Sequence, residues 1–165
     1  MAASTGRQLA ETIHTRIEEL KKVCEGIDEG TASRAPEGRW SPKQILSHVL
    51  GPEGPGITEG LQSVLDLDIP TIDLEAENPF FSERRALMRF DELLSEVEKQ
   101  YGEVSKFAEG LSPDQLDRKA HVPLLKETDL GEYPTLEGMI GSLLDYHLQF
   151  HTDHMREILK ALQAS

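Results

Sequence analysis

The chain predicts an all-α fold, a four-helix bundle, on three observations. Four long segments repeat apolar residues every three or four positions, the period of a helix with one buried face. Capping signals stand where helices should start. No stretch alternates as a half-buried strand would, and no repeat of solenoid type is present. Four long helices joined by longish loops make a bundle.

The first segment runs from Thr5 to Ile27, with Leu9, Ile13, Ile17, Leu20, Cys24 and Ile27 on one stripe. Thr5 and Gln8 have the spacing of a capping box. A loop, "GTASRAPEGR", follows. The second helix starts at "SPKQ", with Ser41 as N-cap, Pro42 at N1 and Gln44 at N3. Ile45, Leu46, Val49 and Leu50 form its apolar side. "GPEGPG" then interrupts it, because Pro52 and Pro55 each remove a backbone donor. "ITEGLQSVL" resumes the period, so a kinked or broken helix is expected from Pro42 to about Leu65. An acidic connection from Asp66 to Pro79 leads on.

The third helix is expected after Ser82, with Leu87, Phe90, Leu94, Val97, Tyr101, Val104 and Phe107 as its stripe. "LSPDQL" starts a short turn at Ser112, and His121 to Pro134 crosses over as a loop. The last helix spans Thr135 to about Gln163, its apolar side running from Leu136 and Ile140 to Leu162.

A chain of 165 residues is most simply one domain, here 1–165, with room for a real core. Hydrophobic content of 38% and charged content of 28% are those of an ordinary globular protein. Aromatics make up only 5%, and the apolar set leans on Leu and Ile, which suits helices. A net charge of −13 argues against nucleic acid as a partner and against an anionic membrane surface. Cys24 is the single cysteine, so neither a disulfide framework nor a thiolate metal cage is available. The N-terminus "MAASTGRQLAETI" lacks the apolar core of a signal peptide, and a cytoplasmic location is expected. No P-loop, dinucleotide fingerprint or nucleophile elbow is present.

The chemistry concentrates in "YHLQFHTDHM", where His147, His151 and His154 step by four and three and so share a helical stripe. They continue the line of Ile140 and Leu143, which turns them toward the core or a pocket. Neutral imidazoles in a core each need a partner, and a divalent ion satisfies several at once. A hydrogen-bonded or solvated histidine cluster is the competing reading of the spacing. His48, one turn after Ile45 on the second helix, also faces inward and strengthens the metal reading. Its own alternative is a structural role, bonded to a backbone carbonyl at the kink. His14 and His121 offer no such geometry and are expected at the surface. Trp40 reads as a hydrophobic staple or a substrate-facing ring. Glu53 and Asp145 are candidates to orient an imidazole, and Cys24 reads as an inert small hydrophobe.

"WSPKQILSHVL" resembles the W-S-x-x-x-x-L-x-H-L stretch of the DinB-like (YfiT-like) superfamily. "PTLEGMIGSLLDYHLQFH" resembles that family's final helix, in which H-x-x-x-H follows a Thr-Leu start by a few turns. The resemblance implies an up-down-down-up four-helix bundle, often a homodimer. It also implies a three-histidine divalent metal site, with one ligand from the second helix and two from the fourth. The matching residues are His48, His147 and His151. His154 falls where many members carry Gln, as a partner of a ligand or, in a shifted register with His151, as a ligand itself. The Pro-Gly break after Leu50 departs from the family's continuous helix.

Imidazole donors without thiolate suit zinc or a nickel-like ion. The implied activity is that of a metal-dependent hydrolase or a low-molecular-weight-thiol-dependent S-transferase acting on a small molecule. The alternatives are a non-catalytic metal- or ligand-binding bundle of the stress response, and an acidic helical interaction module without metal.

Overall fold

The computed structural model describes residues 4–164. Helix α1, Gly6–Cys24, opens with the expected capping box: Thr5 Oγ1 accepts from the Gln8 N–H at 3.2 Å, and Gln8 Oε1 from the Thr5 N–H at 2.9 Å. It buries Leu9, Ala10, Ile13, Ile17, Leu20 and Cys24, and it stops short of Ile27, where Gly26 turns left-handed at φ +74°. The following loop contains a turn of helix not anticipated from the sequence, α2, Glu29–Ala32, capped by Asp28.

The second segment is broken rather than kinked. Helix α3, Pro42–Leu50, carries the Ser41/Gln44 capping box, and α4, Ile57–Asp66, resumes after residues 51–56. Gly51 and Gly54 in that gap have φ of +81° and +115°, values that side chains disfavour. The third segment is divided as well, into α5, Glu83–Leu87, and α6, Phe90–Glu109. Met88 and Arg89 are extended at the break, so Leu87 leaves the expected stripe and is 88% exposed. The buried stripe of α6 is Phe90, Leu93, Val97, Tyr101, Val104 and Ala108, with Leu94 and Phe107 at its margin. Ser112 caps the short α7, Pro113–Leu116.

The crossing loop is laced to its neighbours by backbone bonds such as His121 N–H to Pro70 O at 2.8 Å and Val122 N–H to Glu132 O at 2.8 Å. It forms isolated bridges and a 3₁₀ turn at Pro123–Leu125; among the described residues there is no longer strand. The last helix starts at Thr135 as expected, but in three parts: α8, Leu136–Gly138, a π turn at Met139–Leu144, and α9, Asp145–Gln163. A π turn absorbs one extra residue, so the apolar positions before and after it do not share one unbroken period. Leu143 and Leu144 accordingly sit half-buried, while Ile140 and Leu148 are sealed in the core.

Contacts define the topology. Helix α1 packs on α6 and α9, and α3 packs on the same two, which puts α1 and α3 at opposite corners. The start of α1 meets the end of α6, where Ser105 Oγ donates to Ala10 O, so these two are antiparallel. Arg16 on α1 pairs with Asp145 at the start of α9, so α1 and α9 are parallel. Glu29 binds both Lys43 and the Phe90 N–H, which sets α3 parallel to α6 from their starts. Trp40, just before α3, meets His154 well along α9, so these two are antiparallel. The result is the up-down-down-up bundle. One continuous core fills it, and among the described residues no helix is long and apolar enough to cross a membrane.

Candidate metal centre

Helix α3 and helix α9 run antiparallel, and their inward faces bring histidines ninety-nine residues apart into contact. His48 Nε2 and His147 Nε2 lie 3.0 Å apart. Ring nitrogens of His48, His147 and His151 all fall within 4.8 Å of one another. His154 stands beside this group, its Nδ1 3.3 Å from His151 Nδ1. The four histidines singled out by spacing therefore do meet. His48 and His151 are each only 5% exposed, and His147 and His154 are half-buried.

Burial decides the protonation states. The His147 imidazole is pushed down to about 4, first by burial and then by His48 beside it. His151 is pushed down to about 2, by burial and then by His147, His48 and His154. His154 is lowered chiefly by burial, with Arg39 adding to it. A positive imidazolium cannot shed its hydration there without a counter-charge, so His147, His151 and His154 are neutral at pH 7. Neutral imidazoles are the form that offers a lone pair to a metal.

One tautomer follows from the geometry. His48 Nδ1 is 2.6 Å from the carbonyl oxygen of Asn78, which can only accept, so Nδ1 carries the proton and Nε2 presents its lone pair to His147. A backbone carbonyl does bind His48, but it comes from Asn78 rather than from the kink, and it leaves the other nitrogen unprotonated, as a metal ligand needs. Two imidazole ligands of one tetrahedral ion stand about 3.3 Å apart, given bonds of about 2.0–2.1 Å. The His48–His147 pair is already near that spacing, and the donor set fits a borderline divalent cation.

Rings enclose the cluster. Trp40 lies 5.1 Å from His48 and stacks over His151 at 6.4 Å, so it is part of the site's wall. Phe80 stacks parallel to His48 at 6.0 Å, and Phe150 meets His151 edge-on at 5.0 Å. Phe150 is half-exposed and Tyr146 beside it more so, which leaves aromatic surface at the rim.

Other expectations are corrected. Asp145 is committed to Arg16 at 2.6 Å, and Glu53 to Ser82 and Arg84; among the described residues neither bonds a histidine. His14 is exposed, but His121 is not simply a surface residue. Its Nε2 is 2.6 Å from Glu132, its Nδ1 3.2 Å from Thr71, and Tyr133 stacks on its ring. Cys24 is buried and its thiol is pushed up to about 12, so the inert reading holds. Asn78, Phe80 and Arg85 were not legible beforehand. Asn78 and Phe80 lie in a connection without periodicity, marked as a turn only by its Asn and Pro, and Arg85 lies on the short α5, where nothing in the sequence foretells its burial.

Fold and histidines together define a class: helical bundles with a three-imidazole cluster gathered from the second and fourth long segments. No protein-family model and no curated protein matches the chain. Among solved structures it is similar to YfiT from Bacillus subtilis, described as a probable metal-dependent hydrolase with an unusual four-helix bundle topology. The TM-score is 0.75 at 17% identity, over 96% of this chain and 87% of that one. At this identity the likeness establishes the shared fold.

Proposed function

We propose that this chain is a divalent-metal-dependent hydrolase of small molecules, with His48, His147 and His151 as the ligands of one zinc or nickel-like ion. The observation that carries the reading is the convergence of three imidazoles, two buried and one half-buried, with no carboxylate among them to charge them. Three protein ligands leave room for water or substrate, unlike a closed structural site. When bound, such an ion acts as a Lewis acid and activates water at neutral pH. The chain's own residues do the rest. Asn78 O fixes the His48 tautomer, Trp40 and Phe80 keep water from the ligands' backs, and His154 accepts or donates a proton at Nδ1 beside His151. The exposed rings of Phe150 and Tyr146 suit a substrate with an apolar portion. The similarity to YfiT supports the hydrolase reading.

Cys24 supplies no accessible thiolate, so an S-transferase reaction would need an external low-molecular-weight thiol. The test uses protein purified without a histidine tag. Metal content is measured, and turnover of aryl esters and amides is assayed with and without such a thiol. Near-stoichiometric metal with metal-dependent hydrolysis supports the proposal. Turnover only with thiol selects the transferase, metal without turnover selects a binding protein, and absence of both metal and turnover overturns the reading.

A further inference from the structure

The aim of His48 depends on a backbone carbonyl in an otherwise irregular connection, residues 67–82, and that connection must itself be held. Asn78 is pinned locally: its Oδ1 accepts from the Phe80 N–H at 2.8 Å and its Nδ2 donates to Glu75 at 2.8 Å. Phe80 sits at φ +51°, a conformation that large side chains avoid unless their surroundings enforce it. Three contacts enforce it. The Phe80 ring lies flat against His48, and the Phe80 carbonyl accepts from Ser47 Oγ at 2.9 Å and from Arg85 Nη1 at 3.3 Å.

Arg85 is the unusual member. It is 3% exposed, and Nη1 also donates to Ser47 O at 3.0 Å, Ser47 Oγ at 3.1 Å and Gly51 O at 2.6 Å. Its Nε is buried without a hydrogen-bond partner, 3.6 Å from a Glu53 oxygen. Burial pulls the guanidinium below its ordinary value, yet arginine keeps its charge at pH 7. A cation so placed carries a desolvation penalty that an apolar residue would not.

We infer that Arg85 is a positioning residue of the histidine centre. Together with Ser47 it clamps the Phe80 carbonyl to the last turn of α3, which holds the Asn78 carbonyl on His48 Nδ1 and aims His48 Nε2 at His147. The inference deepens the proposed metal site and rests on it, but the imidazole state can be read without metal. Partners of this kind orient a ligand ring and fix its tautomer, and their loss typically weakens metal binding by about 10- to 100-fold.

The test compares wild type, Arg85→Met, Arg85→Lys and Ser47→Ala by nitrogen-15 NMR of the metal-free protein, with circular dichroism to confirm helicity. Zinc dissociation constants are measured on the same samples. The wild type should show one His48 tautomer, protonated at Nδ1. Arg85→Met should give a mixture of tautomers and weaken zinc by at least about 10-fold, with Arg85→Lys recovering part of both. A merely structural arginine would lower the melting temperature and leave both readouts alone. If Arg85→Met fails to fold, Ser47→Ala decides, with a mixed tautomer and zinc weakened by at least about threefold expected. A variant that folds, keeps the Nδ1–H tautomer and binds zinc within twofold of wild type overturns the inference. If wild type binds no zinc, the metal site falls, while the tautomer of metal-free protein still judges the clamp.

Discussion

The histidines differ in how they can be replaced. His48→Ala, His147→Ala and His151→Ala should each abolish stoichiometric zinc, whereas His154→Ala should retain it with affinity weakened about 10-fold, as for loss of a ligand's partner. Elemental analysis and competition titration check both outcomes, and retention of full metal by all three ligand variants would refute the site. Acid should act on the metal-free fold too. The folded chain holds His147 near about 4 and His151 near about 2, while the unfolded chain binds a proton at each near about 6.5. Below the unfolded value only the unfolded state gains these protons, so stability is whole above about pH 6.5 and falls as pH drops toward the folded values. The slope should reach about 1.4 kcal/mol per pH unit for each histidine. Carboxylate protonation would relieve the negative charge of the chain, but it is centred about two pH units below the unfolded histidine value, so the histidines dominate first. Urea titrations between about pH 7.5 and pH 5 test the direction; a flat or rising stability would contradict it.

At the scale of elements, helix contacts turn on two glycines and a cap. A Cβ on Gly6 would stand 2.1 Å from the Ala108 carbonyl oxygen, and only separation of α1 from the end of α6 could relieve it. A Cβ on Gly141 would meet Leu9 Cδ2 at 2.7 Å, the far end of a side chain that can turn away. Gly6→Ala should therefore destabilise by about 1–3 kcal/mol, the range for overpacking, and Gly141→Ala by less. Thermal melts rank the two, and the reverse order would show that the α1–α6 approach is softer than its geometry implies. Ser41→Ala removes the oxygen that accepts the Gln44 N–H at 3.1 Å and should lose about 1 kcal/mol. Because α3 has only nine residues, that loss falls on the short helix that carries His48.

For the molecule as a whole, the core sets the margin. Leu93 and Ile158 are fully buried, and truncating either to alanine should cost about 2–5 kcal/mol. A domain of this size holds about 5–15 kcal/mol in all, so one such change removes a large share of it. Assembly is argued at the same scale. Leu67, Ile69 and Leu74 are exposed on the connection after α4, apolar surface that a second copy could cover. A homodimer at micromolar concentration is the expected result of sedimentation, and a monomer at every concentration would count against it.

The sequence by itself determined what is local. Capping boxes at Thr5 and Ser41, the cap at Thr135 and the 3.6-residue period each depend on neighbours within one turn, so all of them were legible. The stripe of His147, His151 and His154 was legible for the same reason, and His48 through its place after Ile45. Where the third segment divides was not legible, because Phe90 is freed to start α6 by an N–H bond to Glu29, far away in the chain. The π turn was hidden too, since an extra residue leaves no mark in composition. Only the tertiary structure decided that helices crossing antiparallel would set His48 against His147, and that His154 would stand beside the cluster. It alone showed that Asp145 and Glu53 are spent on arginines, that the Asn78 carbonyl selects the tautomer of His48, and that a buried Arg85 holds the neighbouring Phe80 carbonyl. Those relations join residues dozens of positions apart, and no spacing rule reaches across a loop whose path the packing of its neighbours dictates.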